Sequence, residues 1–149
     1  MAVSESQQEK NFPSSLERAR MAARLIIDDK GEDVKILDLR EITQAFDFFV
    51  IATGQSRRQL HSLSDDISEL FEKKLGDKCR SVSGYQESRW VVLDYGDVVV
   101  HLFEPSTREY YALEDLWGAG KDIPLTDESD ADAETTNDAE DSDSAESEE

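Results

Sequence analysis

The sequence predicts an α/β domain: a mixed β-sheet of about five strands with helices packed on it. Three observations carry that expectation. Apolar residues recur at helical spacing in two segments, Leu16–Ala19–Ala23–Ile26–Ile27 and Leu60–Leu63–Ile67–Leu70–Phe71–Leu75. Between and after them stand runs rich in β-branched and aromatic residues, "DFFVIATG" and "WVVLDYGDVVVHLF". Both kinds of run end at glycines or turn residues. The resulting order, α-β-β-α-β-β-β-α, is that of a sheet with helices laid over it in one domain.

Each element has its local reason. Ser14-Ser15-Leu16-Glu17 reads as a capping box that opens the first helix, and Gly31 ends it. "DVKILDL", 33–39, reads as a strand. "DFFVIATG", 47–54, is apolar throughout and bounded by turn residues, as a strand buried on both faces should be. Gly54-Gln55-Ser56 opens the second helix and Gly76 stops it. "KCRSVSG", 78–84, is a less regular strand. Trp90 to Phe103 forms a hairpin around Asp94-Tyr95-Gly96-Asp97, where Gly96 is free to take a positive φ. Pro105 then opens a last helix with Tyr110, Leu113, Leu116 and Trp117 as its apolar face. Gly118 and Gly120 are expected to close the ordered part. There is no internal repeat.

Charge divides the chain. Of 35 acidic residues, 12 lie in the last 24 positions, so residues 1–125 hold the other 23 against all 16 basic ones. The segment 126–149 has no apolar anchor and is expected to be disordered, because it has nothing to bury against its ordering entropy. Residues 1–12 are expected to be a flexible N-terminus, which leaves 13–125 as the domain. The acidic balance disfavours a phosphate backbone as a direct partner; a basic protein is electrostatically easier. One cysteine, Cys79, excludes an internal disulfide and a cysteine metal cluster. No apolar run nears the roughly 18 residues that span a bilayer, and "MAVSESQQEKNF" has no leader-like apolar region. These features predict a cytoplasmic protein with no membrane contact.

The candidate chemistry centres on His101, inside "GDVVVHLFEP". On a strand, Val99, His101 and Phe103 share one face, and Val98, Val100 and Leu102 the other. Both faces are largely apolar. The other histidine, His61, lies on the polar side of the second helix, so the two make a poor metal site. His101 therefore reads as a buried or half-buried structural residue with one ring hydrogen bond, or alternatively as part of a binding surface. "TGQS" before a helix raises phosphate binding, as in nucleotidyltransferases. No pair of carboxylates follows on an apolar strand, and the acids of "DYGD" sit in a turn, so two-metal chemistry lacks its ligands. Ser56 then reads as an N-cap. Asp94 and Asp97 are turn formers that would also place two negative charges at the hairpin tip. Of Trp90, Tyr110, Tyr111 and Trp117, one or two are expected to be interface anchors. No catalytic triad, phosphate loop or dinucleotide fingerprint is present. The residues alone give a small acidic α/β binding module with no catalytic residue, metal or cofactor.

"DFFVIATGQSRRQL", "GDVVVHLF" and "REYYALEDLW", in this order and spacing, resemble the ribosomal silencing factor family, also called Iojap. Trp90 before the hairpin and Leu113-Glu114-Asp115-Leu116-Trp117 at the close fit it too. The resemblance covers about 15–117 and leaves the acidic tail outside. It implies an α/β fold similar to nucleotidyltransferase domains without their metal carboxylates, and a function that is not catalytic. It implies binding to the large ribosomal subunit through the basic ribosomal protein numbered fourteen. Such binding blocks subunit joining and represses translation when nutrients are short. Organellar relatives imply roles in large-subunit maturation. The candidate contact residues are Trp90, Asp94, Asp97, His101, Tyr110, Glu114 and Trp117. A divergent nucleotidyltransferase using Ser56 and the hairpin acids, a ribosome-maturation scaffold, and a homodimeric scaffold unrelated to ribosomes are the alternatives.

Overall fold

The computed structural model describes residues 13–125. The expectations for 1–12 and 126–149 lie outside them. The elements are α1 (Ser15–Asp28), β1 (Glu32–Asp38), β2 (Phe48–Thr53), α2 (Arg57–Glu69) continued by a π-helical turn (Leu70–Lys74), β3 (Ser81–Ser83), β4 (Trp90–Asp94), β5 (Val98–Phe103), α3 (Pro105–Tyr111), α4 (Leu113–Leu116) and β6 (Lys121–Ile123). The strands form one mixed sheet in the order β3-β4-β5-β2-β1-β6. Only the central pair, β2 and β5, is parallel; the other pairings are antiparallel. The mixed α/β class is the one the sequence predicts.

The local signals act as read. Ser14 caps α1 in a complete capping box, accepting from the Glu17 amide while Glu17 accepts from the Ser14 amide. Gly96 takes φ +92° in the β4–β5 turn, where Asp94 Oδ1 accepts its amide at 2.7 Å. Gly84, at φ +78°, is required for space as well: a Cβ there would stand 2.0 Å from the Trp90 carbonyl oxygen.

Three expectations change. The sheet has six strands, because Lys121–Ile123 follows Gly118 and Gly120 and pairs with Ile36–Asp38. Three residues carry no period of their own; the free edge of β1 makes them a strand. The last helix breaks at Ala112, which sits left-handed at φ 46°, ψ 52°. The break rotates α4 away from α3, so Tyr110, Leu113, Leu116 and Trp117 do not share an apolar face. Leu113 is buried, whereas Tyr110 and Leu116 are 81% and 76% exposed.

Alternation along the central strands divides the core into two layers. One face carries Phe48, Val50, Ala52, Val91, Leu93, Val98, Val100 and Leu102, packed under Ala19, Ala22, Ala23 and Ile26 of α1 and Leu60, Leu63, Ile67 and Phe71 of α2 and its π turn. The opposite face carries Leu37, Phe49, Ile51, Val99 and Phe103. Leu39 and Leu113 join it, with Phe46, Trp90, Val92 and Trp117 at its border. Both helices α1 and α2 lie on the first face, which leaves the second to the short α3–α4 segment.

Candidate functional site

The helix-free face is the candidate site, and His101 sits in it. Its strand neighbours are Ile51 on β2 and Val92 on β4. The residue is 6% exposed. Its Nδ1 accepts a hydrogen bond from the Trp90 indole Nε1–H at 3.1 Å. Phe49 meets the imidazole edge-on at 4.5 Å between ring centres, and Phe103 stacks beyond at 6.4 Å. Burial pulls the imidazole down to about 4, so it is neutral at physiological pH. His101 is thus a buried histidine with one ring hydrogen bond.

Around it aromatic rings reach outward. Trp90 lies against Phe103 at 4.8 Å and against Tyr111 at 4.9 Å, and Tyr111 meets Tyr110 edge-on at 5.0 Å. Trp117 packs edge-on against Phe49 at 5.5 Å. Trp90, Tyr110 and Tyr111 line a groove of about 570 Å³ together with Glu87, Arg89 and Glu104. These rings form the border of the helix-free face. Sequence reasoning placed Trp90, His101, Tyr110 and Trp117 as candidates, and the structure brings them to this side. It also adds Phe49, which the sequence marks only as one residue of an apolar strand.

Glu114 is set differently. Its Oε2 accepts from Arg108 Nε at 3.2 Å. Arg108 is buried and also donates through Nη1 to Thr53 Oγ1 at 2.8 Å and to the Asp33 carbonyl at 2.7 Å. Asp33 has φ +50°, inside an irregularity of β1 that turns its carbonyl toward the guanidinium. Arg108 therefore staples α3 and α4 to the end of the sheet, and Glu114 serves the staple.

Asp94 and Asp97 lie away from the aromatic border. Asp94 is four residues along β4 from Trp90, about 13 Å at strand rise. Asp97 does not project as a free charge. It accepts from Arg18 Nη1 at 3.1 Å and Nη2 at 2.5 Å, and Asp77 accepts from Nη1 at 2.9 Å. The Arg18 side chain is 5% exposed. Burial pushes the Asp77 carboxyl up against the pull of Arg18, whereas Asp97 accepts from both terminal nitrogens of the guanidinium. This node ties α1 to the hairpin turn and to the end of the π turn. It was invisible in sequence because its members stand 59 and 79 residues apart.

His61 is also more engaged than its helix position suggests. Its Nε2 lies 2.7 Å from both the Tyr85 carbonyl and Ser88 Oγ, and its ring stacks on Tyr85 at 4.0 Å. That contact docks the turn 84–88 onto α2, next to the Trp90 groove.

At the start of α2, Ser56 Oγ accepts from the Gln59 amide at 3.0 Å, which is the N-cap role. Gln59 Oε1 in turn takes the Gln55 amide at 2.7 Å. Two of the amides a phosphate would use are thus bonded within the chain. Among the described residues there is no group of three metal-binding side chains, and no helix is long and apolar enough to cross a membrane.

Comparison with known proteins gives this arrangement a context. Residues 12–149 match the family described as ribosomal silencing factor during starvation. Ribosomal silencing factor RsfS of Bacillus subtilis is 38% identical over 108 residues, covering 72% of this chain and 88% of the relative. That of Halalkalibacterium halodurans is 35% identical over 112 residues, covering 75% and 95%. A crystal structure of a protein from Chromobacterium violaceum superimposes with a TM-score of 0.68 at 33% identity, covering 78% of this chain and 95% of that one.

Proposed function

The chain belongs to the ribosomal silencing factor family, and from that premise we propose that it silences by occupancy, without catalysis. It binds the large ribosomal subunit through the ribosomal protein numbered fourteen, on the surface that meets the small subunit. The asymmetry of the sheet carries this reading. One face is sealed by two helices, whereas the other ends in a border of Trp90, Tyr110, Tyr111 and Trp117 that the two helices do not cover. Exposed Tyr and half-buried Trp beside an apolar layer are the composition of a binding hot spot.

Size supplies the mechanism. A domain of this length has a radius of gyration of about 14 Å and spans roughly 35 Å. An object that large on a close-packed intersubunit surface holds the subunits apart. The acidic balance of residues 1–125, 23 acidic against 16 basic residues, suits a basic ribosomal protein and speeds encounter with it. The compartment that fits this role is the cytoplasm.

Gradient sedimentation of purified large and small subunits with increasing protein tests the proposal. The joined fraction should fall while the protein migrates with the large subunit. A Tyr110→Ala, Tyr111→Ala variant should fold and lose most of the effect. A wild-type protein that leaves the joined fraction unchanged overturns the reading.

A further inference from the structure

We propose that the groove bordered by Trp90, Tyr110 and Tyr111 receives one arginine side chain of the docking protein, with Glu104 as its carboxylate partner. This rests on the docking proposed above and names what enters the groove.

The fold brings the carboxylate to the rings. Trp90 stands opposite Phe103 in the β4–β5 ladder, and Glu104 follows one residue on, its amide donating to the Arg89 carbonyl at 2.9 Å. Glu104 is also fixed before any partner arrives. The Thr107 and Ser106 hydroxyls donate to its Oε2 at 2.5 and 2.7 Å. They hold the carboxyl below its ordinary range, so it is ionised at neutral pH. Oε1 makes no hydrogen bond among the described residues. Glu104 lines the open groove together with Glu87. Glu87 belongs to the turn that His61 docks onto α2.

Rings beside a fixed carboxylate match a side chain with an apolar stem and a cationic head. Tyr110 is 81% exposed, which leaves its ring free to be stacked upon. A planar guanidinium stacks on such a ring and forks a carboxylate, whereas an ammonium has no plane to do either. A phosphate or carboxylate entering here would meet Glu87 and Glu104 instead. Trp90, whose only donor is spent on His101, has nothing to give an acceptor. Arg89 lines the same groove but bonds to neither carboxylate among the described residues. It weakens the attraction without filling the place.

Two variants should therefore act in opposite directions. Glu104→Gln keeps the size and an acceptor for the two hydroxyls and removes the charge. Calorimetry with the purified large-subunit protein numbered fourteen should show binding about tenfold weaker, the scale of one charge-assisted hydrogen bond. Arg89→Gln should bind up to about fivefold tighter at low salt. With each arginine of that protein replaced in turn by lysine, one replacement should weaken binding to wild type about tenfold and to Glu104→Gln by less than about twofold. With ¹⁵N-arginine in that protein, one side-chain Nε–H should move upfield on binding wild type, as protons over a ring face do. The absence of any arginine coupled to Glu104 overturns the inference. So does a saturated complex in which no arginine Nε–H moves, which decides the matter even if Glu104→Gln fails to fold. Reversed signs, with Arg89→Gln weaker and Glu104→Gln tighter, overturn it in favour of an anionic occupant. If wild type binds neither that protein nor the large subunit, the docking reading has failed and the inference with it, an outcome distinct from a complex that forms without the arginine.

Discussion

Under α1 and α2, the side chains of Phe48, Val50, Val98, Val100 and Leu102 are fully buried, and Ile26, Leu63, Ile67 and Phe71 above them equally so. On the reverse of the same strands, Phe49 and Val99 keep 4% of their surface and His101 6%, and at their border Tyr110 and Tyr111 stand more than half exposed. The first layer is closed mainly with aliphatic and phenylalanine side chains, with Tyr95 among them, its hydroxyl too without a hydrogen-bond partner among the described residues. The second mixes rings with a histidine whose second nitrogen has no acceptor among the described residues. One face of the sheet is thus finished by the chain itself. The other carries exposed rings at its border, Tyr110 and Tyr111.

That difference should separate stability from binding. Phe71→Ala empties a site between α2 and the sheet beside Tyr95, 4.4 Å away. It should cost about 3–5 kcal/mol, and leave ribosome binding intact at a temperature where the variant is folded. Tyr110→Ala removes a ring that is 81% exposed. It should change stability by no more than about 0.5 kcal/mol and weaken ribosome binding. Denaturant unfolding and co-sedimentation on both variants would decide. A Tyr110 variant that unfolds as readily as the Phe71 variant would erase the distinction between the faces.

Acid sharpens the comparison further. The imidazole of His101 is pulled from 6.5 to about 4 by burial. The unfolded chain therefore takes up a proton at a pH where the folded one does not. Above about pH 6.5 the residue contributes no pH dependence. As pH falls toward 4 it destabilises the fold, by a total on the order of 3 kcal/mol. Burial also raises the Asp77 carboxyl above its ordinary value, so the useful quantity is a difference. The stability gap between wild type and His101→Phe should shift in favour of the variant as pH drops from 7 to 4. A gap that stays constant with pH would mean that His101 is hydrated, and that the second face is wetter than its geometry indicates.

How much of this was legible in the sequence follows the range of the interactions. α1, α2 and the β4–β5 hairpin are specified by neighbours within a few residues: a capping box, a 3.6-residue stripe, a glycine at a turn. These were readable. The strand at Lys121–Ile123 exists because β1 offers an open edge, and the break at Ala112 has no local signature, since alanine rarely adopts a left-handed conformation. Neither could be read. The candidate site divides in the same way. Trp90 and His101 share a face by simple alternation across a predictable hairpin, so their proximity was foreseeable. Asp97 was expected to be a free charge because its partner, Arg18, is on the first helix. A charge reversal at Asp97 would break the Arg18 node before it tested any contact with the ribosome.

The smallest expected effect comes from the acidic tail, and the faces explain why it is small. Leu125, the last described residue, packs with Ile123 against the helix-covered layer, and Arg20 of α1 donates to the Pro124 carbonyl at 3.1 Å. The described segment that precedes the 12 acids of residues 126–149 is thus held on the side away from the proposed docking face. Their repulsion from ribosomal RNA acts over the Debye length, about 8 Å at physiological ionic strength. Deleting 126–149 should strengthen ribosome binding modestly at low salt, and the truncated and intact proteins should converge as salt rises. Attraction between the domain and a basic protein weakens with salt in both, so the convergence isolates the tail. Affinity measured against salt for the two proteins provides the check. Tighter binding by the intact chain at low salt would show that the tail grips a basic surface of its own, and the contact would then extend around the edge of the sheet to the helix-covered side.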